Sequence, residues 1–369
     1  MTKITHIFKT YFPETNGGLE EAIRQIGKHA IKEGYQVEVV AVGKKSYDVT
    51  TEDGITAKFY KSSFDLYSNP VSFSFISQFR GICDTTDILH FHFTWPTAEV
   101  LNLLFRCGKP IVVTFHCDIH KNRFLKALYL PIVKQFLKQA NIICVTSRNL
   151  FGSTPYLDKF KYKTQEICLW FDEKRFLGLP KPAIGIRKFI KPLKPYALFV
   201  GVLRWYKGLD VLLDASKTFN GDIVIVGKGP LYSHLRKRIK QEHLLNVHLM
   251  GFQPDNHLKF LIQACKFITL PSTTASEAFG QILLEGLFFS KPLISTALGT
   301  GTSLVNRHNH TGIVVKAGSR RALCDAMNSM LADPCQYDRF VSNTFPHYLS
   351  NFTEAVQGEK YSRIYRLLL

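Results

Sequence analysis

Residues 267–295 read FITLPSTTASEAFGQILLEGLFFSKPLIS. Two β-rich runs, Phe267–Leu270 and Leu293–Ser295, bracket a serine-, threonine- and glycine-rich loop and the apolar run ILLEGLFF. The turn-forming residues place a helix start at Gly280 or Gln281, and the run that follows predicts a largely buried helix. Strand, helix and strand in so short a span predict a parallel pairing with a helical crossover. Two carboxylates stand out: Glu277 in the loop before the helix, and Glu285 a turn or more inside it, with seven residues between them. Both positions can line the C-terminal edge of the sheet, where open α/β folds bind ligands, and the amides at the helix start suit a diphosphate. The plainer reading makes Glu277 a helix-terminus charge and Glu285 a solvated helix residue. The apolar surroundings of Glu285 weigh against it.

The same alternation runs outward in both directions. Strands are expected at Ile4–Phe8, Val37–Val42, Asp87–Phe91, Ile111–Phe115 and Ile142–Val145, each followed by room for a crossover helix. It stops near residue 170 and restarts at Ala197–Val200, Ile223–Val226, Val247–Met250, Phe267–Leu270, Leu293–Ser295 and Ile313–Val315. Between them KPAIGIRKFIKPLK, 181–194, carries two internal prolines, five basic residues and no acid, which reads as a connection. The domains expected are therefore 1–172, a linker 173–195, a second domain 196–350, and a C-terminal helix 351–369, with packing back on the first domain one option. Two doubly wound α/β halves also suit a chain of 369 residues, too long for one core.

Bulk properties narrow the partners. A hydrophobic fraction of 46% and a charged fraction of 21% exclude a disordered chain. Lysine and arginine number 47 against 29 acids, a net charge of +18 that favours anionic partners. No helix-turn-helix, zinc or RNA-binding signature accompanies that charge, so nucleic acid is not expected as the partner. The eight cysteines include no C-x-x-C pair and read as buried free thiols of a reducing cytosol. The first residues, MTKITHIFKTYFP, do not resemble a secretory signal, and no run of 18 apolar residues occurs, so cytoplasmic residence is expected.

Further motifs sit at strand ends. In LFVGVLRWYKGLDVLLDA, 198–215, a loop carrying Arg204 and Lys207 follows a strand, and two fixed cations there could neutralise a departing diphosphate. Read alone, they are surface basic residues. GKGP, 227–230, with Gly229, reads as loop shape. GTGTSLVN, 299–306, offers Thr300 and Ser303 to a sugar or phosphate, with plain turn residues the equal alternative. NGGLEEAIRQIGKHA opens a helix at Gly17-Gly18, where backbone can approach a phosphate or sugar closely, unless this is only a tight turn. His90, His92 and His116 end strands; His-x-His is a possible ligand pair, but Asp118 is the only acid nearby, so no metal is expected. His116 is favoured as a hydrogen-bond donor to sugar or phosphate, His90 and His92 as structural, with His92 an option for the acceptor side. The segment 121–138, KNRFLKALYLPIVKQFLK, reads equally as a basic amphipathic helix for an anionic membrane surface and as a normal buried helix, with Pro131 a possible break.

PSTTASEAFG followed by Glu285 resembles the donor motif of glycosyltransferase family 4, and the resemblance extends over nearly the whole chain, strongest at 198–315. It implies a GT-B fold of two Rossmann-like doubly wound domains facing a central cleft. It gives Glu277 the sugar hydroxyls, Glu285 the nucleotide ribose, Phe279 and Gly280 backbone amides near the diphosphate, and Arg204 and Lys207 the leaving group. Gly17, Gly18, Gly229, Thr300 and Ser303 fall at donor-binding positions, and His116 beside the reacting sugar. ICLWFDEKRF, 167–176, resembles the family's end-of-domain motif at Asp172 and Phe176, although Trp170 stands where glycine is usual. Gly286 and Ser290 replace alanine and glycine, and the arginine stands three positions after Gly201 rather than next to it. The implied reaction retains the anomeric configuration without a covalent carboxylate, the departing diphosphate taking the acceptor's proton. No cofactor or metal is implied beyond the nucleotide-sugar substrate. The variants G-x-L-R-x-Y-K-G and G-T-G-T-S resemble mannosyltransferases using GDP-mannose in lipopolysaccharide or capsule assembly, with a glycan or lipid-linked glycan acceptor. A UDP-hexose donor, a phosphorylase or epimerase of this fold, and a non-catalytic scaffold are the alternatives.

Overall fold

The computed structural model describes residues 1–15, 17–66, 69–116 and 123–369. They form two compact units, Met1–Trp170 with Glu354–Leu369, and Phe171–Thr353. The strands in chain order are β1 (Lys3–Ile7), β2 (Gln36–Gly43), β3 (Tyr47–Thr50), β4 (Thr56–Lys61), β5 (Phe64–Leu66), β6 (Asn69–Val71), β7 (Ile88–Phe93), β8 (Ile111–Phe115), β9 (Ile142–Val145) and β10 (Thr164–Glu166) in the first unit. The second unit holds β11 (Tyr196–Val200), β12 (Asp222–Val226), β13 (Val247–Gly251), β14 (Phe267–Leu270), β15 (Leu293–Ala297) and β16 (Gly312–Lys316).

The first sheet runs β10-β9-β8-β7-β1-β2-β4-β3 and the second β13-β12-β11-β14-β15-β16. In each the chain starts near the middle and winds outward both ways, the Rossmann-like order that leaves a crevice at the strands' C-terminal ends. Burial on both faces explains why the central strands are continuous apolar runs: Ile142–Val145 and Phe267–Leu270 are buried at every residue. The first sheet is not wholly parallel. β3 pairs antiparallel with β4 at the edge, in a segment where a crossover helix was expected. The alternating, half-exposed pattern of Tyr47–Thr50 is that of an edge strand.

Three expectations are corrected. The stretch 173–195 is no bare linker: it belongs to the second unit and carries the helix Ile184–Ile190, started after Pro182. Pro131 does not break its helix, which runs Arg123–Gln139 and buries Val133, Phe136 and Leu137 in the core. That packing makes its C-terminal half an ordinary buried face, while Leu128 in its first half is 70% exposed. The cysteines are not all free: Cys83 and Cys107 form a disulfide with Cα atoms 5.7 Å apart. They end the helix Phe73–Asp84 and follow the helix Pro96–Phe105, so their meeting depends on helix packing and leaves no trace in local spacing. Cys144, Cys168, Cys265 and Cys324 are buried free thiols and Cys335 is an exposed one. Among the described residues no helix is long and apolar enough to cross a membrane.

The helix Glu354–Leu368 belongs to the first unit and buries Gln357, Gly358, Tyr361, Ser362, Ile364 and Tyr365, a spacing that lines one face. It lies against the helix Gly18–Lys32 at Gly358, where a Cβ would come within 2.7 Å of the His29 ring. His29 bonds Glu354 and Ser362 through its two ring nitrogens, at 3.1 and 2.9 Å.

Candidate functional site

The second unit gathers most of the expected residues at the C-terminal ends of β11, β12, β14 and β15. After β11 the chain turns through Val202–Arg204, makes a short 3-10 turn Trp205–Lys207, and enters the helix Leu209–Ser216 at Gly208. Gly208 has φ 69°, and a Cβ there would lie 2.0 Å from the Pro271 carbonyl oxygen. Glycine is thus required by conformation and by space, because this loop is pressed onto the one that follows β14. The Thr273 amide donates to the Tyr206 carbonyl at 2.8 Å and closes the two loops together. GKGP supports the same loop: Leu203 donates to the Lys228 carbonyl at 2.9 Å and accepts from the Leu231 amide at 3.1 Å. Gly229 is pressed against this backbone, where a Cβ would lie 2.6 Å from the Leu203 amide nitrogen.

This zipping fixes an ion pair. Lys207 Nζ meets Glu277 Oε2 at hydrogen-bond distance, and Ser272 Oγ donates to the same oxygen at 3.0 Å. Both charges are largely buried, their side chains 13% and 8% exposed, so each depends on the other for compensation. Arg204, by contrast, is exposed at the loop's tip. Thr300 donates to the Glu277 carbonyl at 2.8 Å and Ser303 to the Thr300 carbonyl at 3.0 Å. These bonds hold the loop that carries Glu277. Phe279 is buried, and Gly280, in a left-handed conformation, caps the helix Gln281–Phe288. That helix is anchored by buried Ile282, Leu283, Leu284 and Leu287, each contributing about 1.5–3 kcal/mol of apolar burial.

Glu285 lies in that buried helix, 7% exposed, and its charge is met by Arg175 Nη1 at 3.1 Å. Arg175 also reaches Asp255 Oδ1 at 2.5 Å, so one guanidinium orders two carboxylates from different helices. Neither Arg175 nor Ser272 was singled out from sequence. Arg175 stands inside ICLWFDEKRF between the matched Asp172 and Phe176, and only the fold shows that it faces Glu285.

Gly17, Gly18 and His116 lie in the first unit. Gly17 precedes the helix Gly18–Lys32, and a Cβ on it would meet the Glu20 carboxylate at 2.6 Å. Glu20 is occupied there by the hydroxyls of Thr10 and Thr15, at 2.9 and 2.7 Å, which shape the loop ahead of the helix. His116 follows β8 and is buried with His6, His90 and His92. Burial holds all four below the usual histidine range, His6 down to about 3 and His116 to about 4, so they are neutral at physiological pH. His6, His90 and His92 each place a ring nitrogen within 4.8 Å of the others, the set among the described residues with metal-ligating potential. Asp118, the acid considered with them, lies outside the described residues.

Comparison with known proteins agrees with this architecture. The family described as glycosyl transferases group 1 matches residues 185–345, and that described as glycosyltransferase family 4 matches residues 16–151. The chain is 33% identical over 369 residues to O-antigen chain mannosyltransferase C of Escherichia coli, covering 100% of this chain and 99% of the relative. It is 35% identical over 354 residues to the D-rhamnosyltransferase WbpZ of Pseudomonas aeruginosa, covering 95% and 92%. Among solved structures, Anabaena Alr3699/HepE in complex with UDP shares the fold with a TM-score of 0.78 at 17% identity, over 99% of this chain and 100% of that one.

Proposed function

Because the chain belongs to glycosyltransferase family 4, with the GT-B fold, we propose that it moves mannose from GDP-mannose to a glycan or lipid-linked glycan in O-antigen or related surface-polysaccharide assembly, retaining the anomeric configuration. Two relatives named for mannose and D-rhamnose support a manno-configured donor, since D-rhamnose is 6-deoxymannose and shares the axial 2-hydroxyl. The observation that carries the reading is the Lys207–Glu277 pair, held between two zipped loops at the ends of β11 and β14.

A diphosphate arriving there brings charge that Lys207 and exposed Arg204 can neutralise, together with amides at the start of the helix Gln281–Phe288. Drawing Lys207 toward phosphate releases Glu277 to accept hydrogen bonds from sugar hydroxyls. Glu285, oriented by Arg175, accepts from the ribose hydroxyls. As the sugar–phosphate bond loosens, negative charge grows on the diphosphate and the fixed cations stabilise it most in the transition state. The departing phosphate oxygen takes the proton of the attacking acceptor hydroxyl, so no metal is required. In the first unit, Gly17 and Gly18 offer close backbone approach, and His116 a hydrogen bond, to a sugar or phosphate. The enzyme would act at the cytoplasmic face, its excess of basic residues favouring peripheral contact with anionic lipid.

The deciding experiment incubates the protein with GDP-mannose, GDP-D-rhamnose, UDP-glucose and UDP-N-acetylglucosamine and follows slow donor hydrolysis. Preferential release of GDP supports the proposal. Release of UDP alone replaces the donor assignment, and sugar phosphate or epimerised sugar nucleotide as product replaces the reaction.

A further inference from the structure

Four imidazoles lie together on one face of the first sheet: His6 on β1, His90 and His92 on β7, and His116 just past β8. Parallel pairing sets His6 opposite His90 and His92 opposite Thr114. Ring centroids of His6 and His92 are 5.2 Å apart and those of His92 and His116 are 5.3 Å apart, both pairs stacked. His6 Nδ1 lies 2.9 Å from His92 Nε2, and His92 Nδ1 lies 3.0 Å from His116 Nε2. His90 stands beside this line, its two nitrogens bonded to Tyr365 and Thr114 at 2.8 and 2.7 Å. The two ends of the line, His6 Nε2 and His116 Nδ1, are buried with no hydrogen-bond partner among the described residues.

A neutral imidazole carries one N–H and one bare nitrogen. Three neutral rings joined in this way have only two consistent proton arrangements. In the first, His6 Nδ1–H donates to His92, His92 Nδ1–H donates to His116, and His116 presents Nδ1–H at the strand end. In the second every proton is reversed and His116 presents a bare nitrogen. The tautomer of His116 is thereby tied to a residue two rings away.

We propose that His6 and His92 are positioning residues that hold the His116 ring and keep it in the Nδ1–H tautomer, so that it donates a hydrogen bond to a substrate sugar or phosphate at the end of β8. The inference rests on the reading of His116 as a substrate contact. Burial supports it, because a proton added to any of the three rings is disfavoured and the one-proton rule holds. A metal ion held by His6, His90 and His92 is the competing occupant, but it would break one of the two bonds of His90 and one of the two bonds of His92.

The test is long-range ¹H–¹⁵N correlation of imidazoles in the full-length protein, read beside kcat and the donor KM. In the parent, His6, His92 and His116 should all carry the proton on Nδ1. His6→Leu removes the chain's first donor without touching His116; the His116 tautomers should mix and kcat should fall about tenfold, the scale of one hydrogen bond, with KM little changed. His6→Asn sets an amide N–H near the place of Nδ1 and should restore both readouts. Should His6→Leu fail to fold, His92→Gln breaks the chain at its second link and is read in the same way. An unchanged His116 tautomer and kcat in the broken chains overturns the inference. One equivalent of zinc retained by the parent through dialysis also overturns it and makes the cluster a metal site. Full turnover in His116→Asn removes the underlying substrate contact instead; crippled turnover there, with normal broken chains, removes only the relay.

Discussion

Arg204 and Lys207 differ in their surroundings although three positions separate them. Arg204 is exposed, whereas the Lys207 side chain is largely buried and already paired with Glu277. Replacing either with alanine should lower turnover by about 10²-fold, the scale for removing a preorganised charge-stabilising group. The folding consequences should diverge. Arg204→Ala should leave the thermal midpoint unchanged, while Lys207→Ala leaves a buried carboxylate uncompensated and should lower it. Near-parental turnover in both would remove the leaving-group role. The glutamates separate by partner: Glu285→Gln should weaken binding of free GDP in calorimetry, and Glu277→Gln should mainly lower kcat. Arg175→Gln should weaken GDP binding in the same direction as Glu285→Gln, since Arg175 bonds that carboxylate at 3.1 Å. Parental GDP affinity in both would end the ribose assignment.

Loops and helices here act as joined pieces. The loop after β11 and the loop after β14 share the Thr273–Tyr206 bond and the close approach at Gly208, so neither can be rebuilt alone. The C-terminal helix Glu354–Leu368 is latched to the helix Gly18–Lys32 by Glu354, which bonds His29 and, at 2.5 and 2.6 Å, Lys32. The hydrogen bond from His29, with that from Lys32, holds the Glu354 carboxyl down at about 2, against 4.5 for a free glutamate. A depressed folded value means that the latch is fully present above about pH 4.5 and is lost as pH falls through about 2. Hydrogen exchange should show protection of residues 354–368 declining across that window, with Glu354→Gln less protected at neutral pH and flatter with acid. Equal protection of parent and variant at neutral pH would show that apolar packing alone seats the helix.

At the scale of the molecule, the proposed mechanism gives the cation role to Arg204, Lys207 and the helix-start amides. Turnover should therefore persist in excess chelator, with Mg²⁺ at most assisting product release. Complete loss on chelation, restored by Mn²⁺ or Mg²⁺, would contradict the leaving-group mechanism and return attention to the buried histidines. The net charge of +18 should give binding to vesicles rich in anionic lipid that weakens steeply between low and physiological salt. Equal association with neutral vesicles would point to apolar contact instead.

The sequence by itself determined the α/β alternation, because a strand buried on both faces must be a short apolar run and each crossover needs its own helix. Ile111–Phe115, Ile142–Val145 and Phe267–Leu270 were legible residue for residue for that reason. It also placed Arg204, Lys207 and Glu277 in loops that follow strands and Glu285 inside the next helix, since loop and helix-start residues declare themselves locally. Edge strands such as β3 were not legible, being short and half-exposed, and neither was the Cys83–Cys107 pair. Only the tertiary structure decided which side chains meet. The Arg175–Glu285 bond spans 110 positions and the His6–His92 bond 86, and strand order and helix packing set such distances, which no local pattern encodes.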